Sequence, residues 1–162
     1  MKTIIAAVAI TIISFTTQAQ SVSVEDLTIF NGKFKLVLAQ AGRCFEEFRL
    51  KAGISFSNPA ITLFTANHLG IEVQEFFPAS GKTYTDGPAR IDGDYDKSKL
   101  QISASTYYRN EAKRFLGLFG KRAWRLATIE SFQLTDNQQT LIYKGKFGLS
   151  KELDYECEYT RI

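Results

Sequence analysis

The C-terminal stretch Leu153-Asp154-Tyr155-Glu156-Cys157-Glu158-Tyr159-Thr160-Arg161 decides the fold. Leu153, Tyr155, Cys157 and Tyr159 alternate with Asp154, Glu156 and Glu158. A strand turns successive side chains to opposite faces, so this segment has one apolar and one wet face, the pattern of a half-buried antiparallel strand. It also carries Cys157, and the chain's other cysteine is Cys44. In an oxidising compartment the two are expected to pair, which requires their Cα atoms to lie about 4.4–6.8 Å apart. An early and the last element would then be neighbours, as barrel closure demands; an open sandwich could also bring them together. The closed loop spans 113 residues. In the chain-entropy view, such a loop is worth about 5 kcal/mol as an upper figure. The alternative is two free thiols, with Cys44 activated beside Arg43, but the single histidine is far along the chain.

Similar alternation recurs upstream. In Gly32–Ala39, Phe34, Leu36 and Leu38 alternate with Lys33 and Lys35, and further candidates are Cys44–Leu50, Ala60–Ala66, Ile71–Phe77, Ala89–Tyr95, Leu100–Tyr108, Trp124–Leu134 and Leu141–Leu149. Turn chemistry separates them: Gln40-Ala41-Gly42, Ser57-Asn58-Pro59, Asn67 to Gly70, Asp86-Gly87-Pro88, Asp96 to Lys99, Asp136 to Gln139 and Ser150-Lys151. Short strands joined by hairpin-length turns, with no helices between them, predict an all-β, antiparallel up-and-down barrel of about 8–9 strands. A short helical turn is expected over Val24–Ile29, behind a Ser23 cap with Asp26 three places on.

The beginning of the chain reads as an export signal. Lys2 precedes an apolar run from Ile4 to Phe15, and Thr17-Gln18-Ala19 sets small residues where a signal peptidase cuts. The expected domains are a signal peptide, 1–19, and one barrel domain, 20–162, placed in the periplasm or secreted. The apolar run is short of the roughly 20 residues a spanning helix needs. The chain is 44% hydrophobic and 23% charged, with 3 prolines, which excludes collagen, low-complexity disorder and a multi-spanning helical protein. Removing 1–19 leaves a formal charge of +2, which gives no reason to expect nucleic acid.

Few constellations suggest chemistry. Asp92-Gly93-Asp94-Tyr95-Asp96 has the opening rhythm of a calcium loop, yet the required glycine and glutamate positions hold Lys97 and Ser103. A strand entering a hairpin, with its carboxylates toward solvent, is the better expectation, and no metal is assigned. His68 lies in a loop-like stretch without metal-ligating companions. Glu46 is expected to face inward if Phe48 does. Strict alternation over Trp124–Leu134 puts Trp124, Leu126, Thr128, Glu130, Phe132 and Leu134 on one face. Glu130 among apolar groups is then either satisfied by an inward Arg or Tyr, or it serves as the polar anchor of a ligand cavity. Between Arg109 and Arg125 the chain is locally basic and apolar, and Lys113, Arg114, Lys121 and Arg122 offer contact with an anionic envelope surface. The alternative there is an apolar lid packed on a barrel end.

The opening Phe30-Asn31-Gly32-Lys33-Phe34-Lys35-Leu36 resembles the start of a lipocalin or fatty-acid-binding (calycin) barrel, with Phe34 where that family has tryptophan in a G-x-W motif. The resemblance implies an arginine near the last strand packed on this ring, with Arg161 the candidate and Arg125 second. A disulfide tying the C-terminal region to the barrel is also similar to secreted lipocalins. Thr85-Asp86 is followed by Gly87 and departs from the family's second motif.

The expected function is non-enzymatic, cofactor-free binding of a small hydrophobic or amphiphilic ligand. Phe34, Leu36, Phe48, Trp124, Leu126 and Phe132 would form the wall and Glu130 the polar anchor. The alternative is a cell-envelope interaction or inhibitor module with no internal ligand. An outer-membrane barrel fits the length, but Lys33, Lys35, Arg49, Arg125 and Lys144 are scattered through its strands.

Overall fold

The computed structural model describes residues 21–42, 44–66, 69–109, 123–148 and 154–162. Its elements begin with a short helix, α1 (Val24–Leu27), and a single 3₁₀ turn (Thr28–Phe30). Ten strands follow: β1 (Gly32–Ala41), β2 (Glu47–Ser55), β3 (Asn58–Ala66), β4 (Glu72–Pro78), β5 (Ser80–Asp86), β6 (Ala89–Asp96), β7 (Gln101–Arg109), β8 (Trp124–Leu134), β9 (Thr140–Phe147) and β10 (Tyr155–Arg161). All pairings are antiparallel, in the order β4-β3-β2-β1-β10-β9-β8-β7-β6-β5. The first strand pairs with the last, Phe34 opposite Arg161 and Leu36 opposite Tyr159, and the sheet rolls into a nearly closed barrel.

The unladdered seam lies between β4 and β5. At its lower end the two strands are joined by the chain itself through the single residue Ala79, whose N–H extends the β3–β4 ladder by donating to the Pro59 carbonyl at 3.0 Å. Gly93 on β6 also stands so near the Pro78 carbonyl that a Cβ there would come within 2.0 Å of the oxygen. Glycine at 93 is therefore a condition of the closure. The strand missing from the sequence expectation is β5, Ser80-Gly81-Lys82-Thr83-Tyr84-Thr85-Asp86, whose polar composition gives no apolar alternation. The β2–β3 turn also moves. Phe56 and Ser57 form it with φ of 50° and 64°, and Asn58 and Pro59 already belong to β3. Two-residue hairpins of this hand usually hold Asn-Gly, because positive φ is strained for a bulky residue.

The N-terminal turn forms as its sequence requires. Ser23 accepts from the Asp26 N–H while Asp26 accepts from the Ser23 N–H, a complete capping box. Leu27 and Phe30 point down into the barrel end and are wholly buried. They meet a floor of Phe34, Leu50, Ile61, Ile102, Leu134 and Leu141, all buried. Each such side chain contributes roughly 1.5–3 kcal/mol relative to exposure. Arg161 covers the Phe34 ring with its guanidinium 5.3 Å from the centroid and donates to the Ile29 carbonyl at 2.5 Å. Gly32 leaves room for that arginine, since a Cβ would lie 3.3 Å from its Nε. At the opposite end, Cys44 and Cys157 form a disulfide with Cα atoms 5.9 Å apart, tying the segment before β2 to β10.

The outer face mixes charged side chains with apolar ones such as Phe64, Phe76, Trp124 and Leu126. Its ion pairs include Lys33–Glu47, Arg49–Glu72, Arg90–Asp92 and Lys144–Glu156. Asp92, Asp94 and Asp96 share this outer face on β6, opposite Ser105, Ser103 and Gln101. Asp92 holds Arg90 at 2.6 Å, and Asp96 caps the following turn through Ser98. Glu46 is solvent-exposed and precedes the ladder, because β2 starts one residue later and the chain bends at Glu46, so the parity of Phe48 does not extend to it.

Candidate functional site

The site grows from Glu130 on β8. Alternation with Phe132 and Leu134, both buried, turns Glu130 into the barrel, and its ladder neighbours are Ala104 on β7 and Gly145 on β9. These small residues leave room for larger side chains to reach the carboxylate. Tyr155 of β10 uses it: a Cβ on Gly145 would collide with the Tyr155 hydroxyl at 2.1 Å. Across that gap Tyr155 donates to Glu130 Oε1 at 2.5 Å, and Tyr143 donates to the same oxygen at 2.5 Å. Thr128 donates to Oε2 at 3.2 Å. Three hydroxyls thus satisfy a carboxylate removed from bulk water, each charge-assisted bond contributing roughly 1.5–3 kcal/mol. Burial, and then the Glu130 charge, raise both tyrosine pKa values far above the usual phenol range, so the hydroxyls remain donors.

Below this hub lies an aromatic layer. Phe132 stacks on Tyr143 with centroids 4.4 Å apart, Phe77 sets its edge to Phe132 at 4.7 Å, and Phe48 packs on Tyr159 at 4.5 Å. Phe45, just past the disulfide, joins Phe48 and Tyr143. Burial lifts the Tyr159 hydroxyl to about 12.

Across the barrel stands a second carboxylate. Glu75 of β4 is opposite Leu63 and two residues from Phe77, both buried, so parity directs it inward. Solvent reaches Glu75, yet desolvation first and the charge of Glu130 second raise its pKa. Parity and exposure together leave Glu75 facing inward and open to solvent. Above the two carboxylates, register places Thr65, Val73, Ile91, Thr106 and Thr128 on the inner face, with Phe147 at the rim, 59% exposed and 6.0 Å from Tyr155.

The predicted site residues separate into three groups. Glu130 is the inward hub, satisfied by tyrosines, and Phe48 and Phe132 form the layer beneath it. Phe34 lies lower, inside the packed floor, and Leu36 is half-buried opposite Tyr159. Trp124 and Leu126 do not share the Glu130 face. The ladder slips between Thr106 and Tyr107, where Ala127 is the extra residue, so Leu126 pairs with Tyr107 and Trp124 with Arg109. Tyr107 is opposite the outward Arg90, whose guanidinium lies 5.2 Å from its ring, and Trp124 receives the Arg109 guanidinium at 5.9 Å on the same side. The bulge reverses every side chain beyond it, which alternation alone cannot foresee. His68, Lys113, Arg114, Lys121, Arg122, Arg43 and the segment 1–19 lie outside the described residues.

Sequence reasoning missed Glu75 and Tyr143 and did not connect Tyr155 to Glu130. Their signals were present. Val73, Glu75 and Phe77 alternate in one candidate strand, and Leu141, Tyr143 and Gly145 in another.

No helix of the described residues is long and apolar enough to cross a membrane. Comparison with protein-family models, with curated proteins and with solved structures returns no match to this chain.

Proposed function

We propose that the chain is an exported, non-enzymatic binding protein that holds a small apolar or amphiphilic ligand inside a calycin-like barrel. The observation that carries this reading is an inward-facing, solvent-reached Glu75, set above an aromatic layer and beside the Glu130–Tyr143–Tyr155 hub. Apolar walls with a few fixed polar groups are what a small-molecule site needs. The Arg161 guanidinium on the Phe34 ring agrees with the calycin expectation. Export is supported by the leader-like residues 1–19 and by the disulfide, which favours an oxidising compartment. The ion pairs distributed over the outer face are unlike a lipid-facing barrel wall and support a barrel surrounded by water.

The test is native mass spectrometry of the purified protein, with organic extraction of whatever accompanies it. A co-purifying amphiphile at one copy per chain, or saturable uptake of a fluorescent apolar probe, is expected. Clean apo protein that takes up no probe overturns the reading. N-terminal sequencing of the exported form is expected to start at Gln20.

One observation favours the alternative, an envelope interaction module. Phe56 is 57% exposed on a positive-φ turn and lies against Tyr84, 4.1 Å between centroids, and Phe76, 6.2 Å. A strained turn presenting an aromatic ring to solvent is what a contact surface would use. Retrieval of a stoichiometric protein partner that Phe56→Ser abolishes would favour it over the ligand reading.

A further inference from the structure

We infer that the lumen selects a ligand with a cationic nitrogen head, an amine or quaternary ammonium on a small apolar body, over one with a carboxylate or phosphate head. This inference rests on the ligand-binding reading above. Two features carry it independently: the charge of the lumen and the faces of its rings.

The charge that the described inward residues carry here is negative, and no ion pair among the described residues involves it. Glu75 and Glu130 both turn inward by strand parity, and Glu130's bonding partners are hydroxyls rather than cations. All ion pairs among the described residues lie on the outer face or at the α1 and β6–β7 turns, and none includes Glu75 or Glu130. Two arginines share the inner-face parity. Arg161 is at the floor, committed to the Phe34 ring and the Ile29 carbonyl. Arg125 is at the rim, opposite Tyr108 in the ladder. An anionic head entering between the carboxylates would meet like charge in a medium less polar than water, whereas a cation supplies the missing partner.

The rings point to the same class. The exposed rim residue Phe147 stands 6.0 Å from Tyr155 and so sets an open ring beside the hub, whose own tyrosines are buried. Aromatic faces beside carboxylates recognise alkylammonium groups by combining ring quadrupole and ion pairing. The aromatic layer below would accept a short apolar body. The tyrosine hydroxyls are already donating to Glu130, so they offer lone pairs to an N–H donor rather than protons to an anion.

The experiment titrates the disulfide-intact protein with dodecyltrimethylammonium, dodecanoate and dodecanol, each below its micelle concentration, by calorimetry at neutral pH. The same series is run on Glu75→Gln, and on Glu130→Gln where circular dichroism shows it folded. The expected result is at least tenfold tighter binding of dodecyltrimethylammonium than of dodecanoate, with dodecanol between them, and loss of most of that preference in Glu75→Gln. Equal binding of the three, or a preference for dodecanoate, overturns the cationic assignment while leaving an internal ligand site in place. A cation preference unchanged by Glu75→Gln overturns the assignment of its source to the lumen. Binding of none of the three removes the ligand reading itself, and the head-group inference with it.

Discussion

The lower and upper halves of the barrel are built from the same alternation and used in opposite ways. In the lower half every inward position is filled: Leu27 and Phe30 plug the end, and Phe34, Leu50, Ile61, Leu134 and Leu141 leave no exposed apolar surface. In the upper half the inward positions carry Glu75, Glu130, Thr128, Thr106 and Thr65, polar groups in place of the aliphatic and aromatic fill below. The lesson is that strand parity fixes which residues face in, while residue size and polarity decide whether the interior is a core or a chamber. Stability therefore belongs to the floor, and the proposed ligand reading assigns selectivity to the mouth.

The sharpest way to break this division is to damage the floor. Phe34→Ala removes a wholly buried ring and the partner of Arg161, with an expected loss of about 3–5 kcal/mol in urea unfolding. Replacing both cysteines by serine releases the 113-residue loop. A loss of about 2–5 kcal/mol is expected, read as a lowered denaturation midpoint. Gly145→Ala strikes the mouth instead. Its Cβ occupies the path of Tyr155, so Tyr155 must leave Glu130. A cost of about 1–3 kcal/mol is expected, together with a measurable change in tyrosine fluorescence.

The smaller effects are pH-dependent and opposite in sign. The pKa of Glu75 is raised in the folded protein above its ordinary value of 4.5, so the folded chain holds the proton more tightly than the unfolded one. Its contribution is complete below the unfolded pKa and declines as pH rises through the raised folded one, and Glu75→Gln is expected to flatten that decline in urea midpoints measured against pH. The carboxylate of Asp26 at the floor is lowered to about 2, first by Lys97 and then by Ser23. Its contribution is present above the unfolded value of 3.8 and lost as pH falls toward 2, and Lys97→Met is expected to move that loss to higher pH. The readout is the amide signal of Ser23 in NMR.

The contrast between the halves also explains what could be read from the chain alone. Strong apolar alternation at Leu153–Arg161, Trp124–Leu134 and Gly32–Ala39 made the barrel, the inward Glu130 and the disulfide legible, because a buried face leaves a period-2 record. β5 left none, since its side chains meet solvent along most of its length. Trp124 and Leu126 were assigned to the wrong face because a bulge at Ala127 depends on pairing with β7, which no local pattern encodes. The Glu130–Tyr143–Tyr155 hub draws on three strands, and Tyr155 reaches it only across a glycine on the strand between. Each residue's facing was readable, but their meeting was a tertiary fact.

The seam between β4 and β5 has a mechanical consequence. Elsewhere around the wall, expansion breaks interstrand amide bonds; along this line the described residues resist it through the one-residue link at Ala79 and packing contacts such as that of Gly93 with the Pro78 oxygen. Any girth adjustment to a bulkier guest is thus concentrated on one side, making the circumference adjustable there while the disulfide-braced side stays rigid.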